Sequence, residues 1–349
     1  MYKKFFMGIA AMAALTLVSC SSEDLNSLSD NSSKGGAISF DGYCGRSAVS
    51  VNGSRGSVID KAELQTKGFG VFGNYTATGD ATAYGKNWFD NQKVTYKASA
   101  WTYEPLKYWL PQGHIDFLAY APYDSEQKLN DNSKLNFTVN STITEQKDLL
   151  WANAKDQTKD NIASTNNKVK FQFAHALSRL GYTVKLKEKY TGTTIKLTKI
   201  TLAGSSAGTT GAFYTKGTID LSYDLSNTSS STPLWTTSKT DAKQKFDWFT
   251  GPKELTTAPS NNTEYLFVIP QDFSTSDKLY VIVEYTIEGP EGVTTPMKNT
   301  VYKQLNNEFK QGKAYTINLT IGLTPIEFDA DVTGWDPTDD TSIEFDTWN

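Results

Sequence analysis

The sequence is poor in the residues that carry most enzyme and metal chemistry. Its 349 residues include two cysteines, two histidines and, among 34 basic residues, only three arginines. That leaves little from which to build a metal centre or a His-dependent active site, and no cofactor or catalytic residue is assigned. There is no block of Lys or Arg and the net charge is −4, which excludes nucleic acid as an expected partner. Long helical patterns are scarce: Val58–Thr66, Asp241–Phe249 and Asn306–Phe309 each predict only a turn or two. Hydrophobic residues make up 38% and aromatics 13%, too aromatic for a disordered chain and too polar for a polytopic membrane protein.

The first twenty residues read as an export signal. Lys3 and Lys4 precede an uncharged run, Met7 to Val18. As a helix that run spans roughly 18 Å, short of a ~30 Å hydrocarbon core but right for a signal-peptide apolar region. It ends in Leu17-Val18-Ser19-Cys20, which resembles the bacterial lipobox, so residues 1–19 are expected to be removed and Cys20 to carry lipid. Lipid chains there would anchor the protein to a membrane without a spanning helix. Cys44 would then be the only remaining thiol, which rules out an internal disulfide. Residues 20–37, rich in Ser, Asn, Asp and Gly, predict a flexible tether.

From Ile38 onward, short strand-like runs dominate. They fall at Phe69–Phe72, Val94–Tyr96, Trp101–Tyr103, His114–Tyr120, Val169–Phe173, Leu177–Leu180 and Tyr182–Leu186. Others follow at Ile195–Leu202, Thr218–Tyr223, Tyr265–Ile269, Leu279–Ile287, Ala314–Ile321 and Ile326–Val332. Strands punctuated by Gly, Asn and Pro, with few helices, predict an all-β chain of sandwiches. Polar stretches at Lys155–Lys168, Gly204–Gly211 and Asn227–Thr240 read as linkers. A division near Gly204 gives two halves, 38–204 and 205–349, of about seven strands each.

Several motifs are weighed and set aside. Gly204-Ser205-Ser206-Ala207-Gly208 matches a hydrolase nucleophile pattern, but poor helix formers follow it and no histidine lies downstream. His114 and His175 have no partners at metal-ligand spacing; His175, beside Phe173 and Leu177, reads as a core-edge residue. The cluster Trp101, Tyr103, Tyr108 and Trp109 is either core or a stacking surface for a glycan or protein. Arginine placement is more telling. Arg46 and Arg55 lie between small residues, as in an extended, protease-accessible loop, whereas Arg179 sits within a strand. An Arg-directed protease would therefore meet one sensitive region, just after Ile38 and Phe40.

These features together resemble the fimbrillin family, the type V pilins of Gram-negative anaerobes. The resemblance rests on the lipobox at Cys20, Ile38-Ser39-Phe40, Arg55 ahead of Gly68-Phe69-Gly70-Val71, and Trp101 with Tyr108-Trp109. It continues through Phe117–Tyr123, Phe173–Leu180, Ile269-Pro270-Gln271, Gly312–Tyr315 and Val332–Trp335, in order along nearly the whole mature chain. It implies two transthyretin-like β-sandwiches in tandem, delivery to the outer membrane as a lipoprotein, and cutting by an Arg-specific protease that removes the first strand. Residues 38–45 or 38–54 would fill a groove until the cut after Arg46 or Arg55, and a strand from another subunit would then replace them. Two runs offer alternating apolar residues for that donor: Ile326, Phe328, Ala330 and Val332, or Ile343 and Phe345. The family role would be a pilus subunit at the cell surface, as stalk, tip or accessory adhesin. The competing reading is an all-β glycan-binding lipoprotein of the outer membrane.

Overall fold

The structure of the protein is a computed structural model. It describes residues 36–44, 58–79, 81–224, 234–262, 264–289 and 295–322, and the backbone of 327–334. Among these residues one α-helix and twenty-two strands are seen. The first part of the chain gives β1 (Phe40–Cys44), α1 (Lys61–Lys67), β2 (Phe69–Thr76), β3 (Phe89–Lys97), β4 (Ala100–Thr102), β5 (His114–Ala121), β6 (Leu129–Asn130), β7 (Lys134–Thr138), β8 (Leu150–Gln157) and β9 (Val169–His175). The middle gives β10 (Ser178–Leu186), β11 (Thr194–Ala203), β12 (Lys216–Asp220), β13 (Trp235–Thr236), β14 (Phe246–Glu254), β15 (Ser260–Asn261) and β16 (Leu266–Val268). The last part gives β17 (Gln271–Asp272), β18 (Leu279–Glu288), β19 (Met297–Leu305), β20 (Glu308–Phe309), β21 (Lys313–Ile321) and β22 (Glu327–Gly334). The all-β expectation holds.

A seven-stranded sheet runs β1-β9-β8-β5-β2-β3-β4. Its end strands β1 and β4 touch, so the sheet curls around an aromatic core of Phe40, Phe69, Phe89, Phe117 and Phe171. α1 closes part of this core with Leu64; its N-terminus is capped by the Asp60 carboxylate, which accepts from the Glu63 amide at 2.8 Å. The helix ends at Gly68, whose φ of 69° and 2.5 Å clearance to the Val94 carbonyl leave no room for a side chain. The opposite face of the sheet, through Phe72, Leu118, Tyr120 and Trp151, packs on the four-stranded sheet β13-β12-β7-β6.

The second stack places β15-β10-β21-β22 opposite β14-β11-β18-β19. Its core interleaves Leu180, Tyr182 and Val184 of β10 and Ile317 and Leu319 of β21 with Leu197, Ile200, Phe246 and Val283. Period-two alternation puts these side chains inside.

Three expectations change. The segment Asp241–Phe249 is not helical: Phe246 and Trp248 alternate inward on β14, and tertiary burial overrides the local pattern. Asn306–Phe309 likewise contributes the short strand β20, paired with β17. The chain changes sheets between β9 and β10, at Ala176–Leu177, ahead of Gly204. It then returns, because β12 pairs with β7 and β13 with β12, so residues beyond Gly204 complete the first stack. Trp235 seals that return: its indole N–H donates to the Ala176 carbonyl at 2.7 Å.

Candidate functional site

β1 is an edge strand held almost entirely by its neighbours. It runs parallel to β9, with Phe40 opposite Val169, Asp41 opposite Lys170 and Cys44 opposite Phe173. Just before it, the Ile38 amide donates to the Lys107 carbonyl at 2.8 Å and the Trp109 amide donates to Gly36 at 3.2 Å. The Tyr103 hydroxyl donates to the Ile38 carbonyl at 2.8 Å and accepts from the Lys107 amide at 3.3 Å. β1 and its lead-in thus bridge the gap between β9 and the 103–109 segment.

Alternate residues face inward. Ile38 is buried, and Phe40, 2% exposed, is ringed by Phe89, Tyr103, Phe117 and Phe171 at centroid distances of 5.3 to 5.6 Å. Gly42 presses on the same floor: a Cβ there would lie 3.0 Å from Phe69 Cε1 and 3.2 Å from Phe173 Cε2. Cys44 follows, half-buried, its thiol pushed up to about 12, chiefly by burial. Outward, Tyr43 is 41% exposed. Taking β1 away would uncover the rings of six aromatic residues and the unpaired edge of β9.

The base of the segment 45–57, which carries Arg46 and Arg55, is pinned. The Cys44 thiol donates to the Ile59 carbonyl at 3.8 Å, and the Ile59 amide donates to the buried Asp148 carboxylate at 3.1 Å. Asp148 also accepts from the Leu149 amide at 2.8 Å and lies 2.8 Å from His175 Nδ1. His175 is therefore a core-edge residue whose acid partner organises this junction. No local pattern announces that pairing, since Asp148 lies just ahead of β8 and His175 ends β9.

Arg46, Arg55, Cys20, Ile326, Ile343 and Phe345 lie outside the described residues. Arg179 lies in β10, hydrogen-bonded on both sides by β16 and β21, with its guanidinium 4.3 Å from the Tyr265 ring centroid. Phe328, Ala330 and Val332 fall in β22, paired antiparallel with Leu319, Ile317 and Tyr315 of β21 at the open end of that sheet.

The four aromatics singled out as a ligand surface do not share an exposed face. Tyr103 and Trp109 are buried, Trp109 against Phe117, and Trp101 packs edge-on against Phe69 at 4.8 Å. Only Tyr108, 51% exposed, is open to solvent. The pattern at Gly204–Gly208 is a tight turn in which the Ser205 hydroxyl lies 3.3 Å from that of Thr209, with no helix after it.

A family model described as fimbrillin-like matches residues 59–335. The chain belongs to this fimbrillin-like family. A fimbrium subunit, Fim1C, of Phocaeicola vulgatus is 24% identical over 392 residues, covering 96% of this chain and 97% of its own. Among solved structures, a fimbrial protein from Bacteroides vulgatus superposes with a TM-score of 0.66 at 21% identity, covering 86% of this chain and 99% of that one. The likeness of fold therefore spans both stacks of sheets of this fimbrillin-like chain.

Proposed function

We propose that this chain is a structural subunit of a surface fimbria, without enzyme chemistry, that assembles by exchanging β1 for a strand of another subunit. It is exported as a lipoprotein through Cys20 and held at the outer membrane until an Arg-specific protease cuts after Arg46 or Arg55. The cut frees β1, and the C-terminal run of a neighbour takes its place. The observation that carries this reading is the setting of β1. A strand with a fully buried Phe40 ends at Cys44, shortly before Arg46 and Arg55 in the sequence, whereas Arg179 lies within β10. A sheet that loses such a strand exposes apolar face and unpaired backbone, the conditions for strand addition.

The test is brief treatment of residues 21–349 with an Arg-specific protease, followed by mass spectrometry and electron microscopy. A single new N-terminus at Ser47 or Gly56, with ladders or filaments, supports the proposal. Cleavage at Arg179, or no discrete cut between β1 and α1, would end the activation scheme.

A further inference from the structure

The segment between β4 and β5 has its polarity inverted. Among the described residues six large apolar side chains are exposed. Three of them, Leu106 at 54%, Tyr108 at 51% and Leu110 at 36%, alternate within five residues. The one lysine between them turns the other way: Lys107 Nζ donates to the Trp88 carbonyl and lies 4.9 Å from the Phe89 ring centroid. Trp109, the other intervening residue, is buried against Phe117. A surface segment ordinarily buries its leucines and lifts its lysine into water. Here Tyr103, Lys107 and Trp109 anchor the segment so that the leucines stand outside. Exposed Pro105 and Pro111 flank the trio, and the only charges of residues 102–112 are Glu104 and the inward Lys107. Such clustering marks a contact surface.

The same segment receives the chain that leads back to Cys20. The Gly36 carbonyl accepts from the Trp109 amide at 3.2 Å, Ala37 pairs antiparallel with Tyr108, and the Ile38 amide donates to the Lys107 carbonyl at 2.8 Å. We infer that Leu106, Tyr108 and Leu110 form a face that rests on the phospholipid bilayer to which the precursor is anchored. This rests on the lipoprotein reading above and adds the side of the fold that meets the membrane. Sixteen residues, Cys20 to Gly35, separate the lipid from Gly36. A Ser-, Asn- and Gly-rich chain of that length spans roughly 20–25 Å. The patch is thereby kept near the bilayer at a high effective concentration, so a contact too weak to recruit a free protein suffices once the chain is anchored. The leucines enter the acyl boundary, while the Tyr108 hydroxyl stays among the headgroups. Because the segment presents no cation, the contact is apolar and needs no anionic lipid. A cut after Arg46 or Arg55 severs the lipid, and the face then loses its hold on the membrane.

The experiment places the full lipidated chain, with Cys44→Ser, in phosphatidylcholine vesicles containing a headgroup-spin-labelled lipid. A fluorophore is attached at Gln112→Cys, exposed beside the patch, or at Met297→Cys, an exposed apolar site on β19. Quenching at 112 should exceed that at 297 by about fivefold or more and be the same in low and high salt. Leu106→Ser with Leu110→Ser should reduce it to the 297 level; both side chains are exposed, and unchanged hydrogen exchange of β9 checks that the fold is kept. Equal quenching at the two positions, or no effect of the double variant, would overturn the inference. So would a signal lost in high salt, or one seen only at high protein density, which would make a second copy the occupant. A second version, residues 21–349 with an N-terminal hexahistidine tag on nickel-chelating vesicles, replaces the lipid. Quenching there, with no acyl chain on Cys20 of the full chain, upholds the face and sinks the lipoprotein reading. An acyl chain on Cys20 with no quenching in either version overturns the face alone.

Discussion

Phe40→Ala should loosen β1 without unfolding the chain. Phe40 is 2% exposed and contacts four aromatic rings, three of them edge-on or tilted. Truncating such a ring in a packed core costs about 3–5 kcal/mol, because the transfer term and the residual cavity add. β1 is five residues long and at the end of its sheet, so the cost falls on local opening of that strand more than on global unfolding. If opening exposes the amides of β9, their exchange rate should rise between about a hundredfold and a few thousandfold, at 1.36 kcal/mol per tenfold. Hydrogen exchange read by mass spectrometry on peptides covering Val169–His175 measures this directly. The ladder between β10 and β21, in the other stack, serves as the internal reference. Tyr43→Ala, on the exposed face of β1, should change neither. Unchanged protection of β9 in Phe40→Ala, or an equal rise in β10 and β21, would refute the reasoning, since either would show that Phe40 does not hold β1 in particular.

Other consequences follow from the same geometry. Tyr103→Phe removes the hydroxyl shared by the Ile38 carbonyl and the Lys107 amide and should cost about 1–3 kcal/mol, read as faster β9 exchange. Gly42→Val should displace β1 by overpacking against Phe69 and Phe173 at about 1–3 kcal/mol, with the precursor cut more readily in a limited-proteolysis time course. With its thiol pushed from 9.0 to about 12, Cys44 should alkylate at pH 8 about a thousandfold more slowly than a free thiol and regain the free rate once β1 leaves. Burial also raises Tyr103 from 10.0 to about 12, so the folded chain keeps a proton that the unfolded chain gives up. Its contribution to stability is therefore complete below pH 10 and declines as pH rises toward 12, which denaturant midpoints at pH 9, 10 and 11 would show.

Most strands were legible because their apolar residues alternate: Phe171 and Phe173 of β9 and Leu180, Tyr182 and Val184 of β10 announce themselves with period two. β7, β8, β14 and β19 were not, and two of them show why. In β8 the polar end at Lys155–Gln157 reads as linker, and in β14 Phe246 and Trp248 sit where helix and strand spacing cannot be told apart over so short a run. The return of β12 and β13 to the first stack depends on pairing between residues some eighty positions apart, such as Ile219 with Leu135, which no local pattern encodes. At the site, the pair Ile38 and Phe40 and the two arginines beyond it were visible as composition. What the sequence could not convey is that Tyr103 is a latch on the Ile38 carbonyl, not a ligand surface. Nor could it show that Asp148 ties together Ile59 and His175. Both are long-range contacts of single polar atoms, invisible to periodicity.

The central claim is that β1 occupies its groove only until assembly. The most direct measurement is mass spectrometry of subunits recovered from filaments on the cell surface, giving the first residue of each. The account predicts subunits that begin at Ser47 or Gly56, lacking Ile38–Cys44. Filament subunits that retain Phe40 would contradict it.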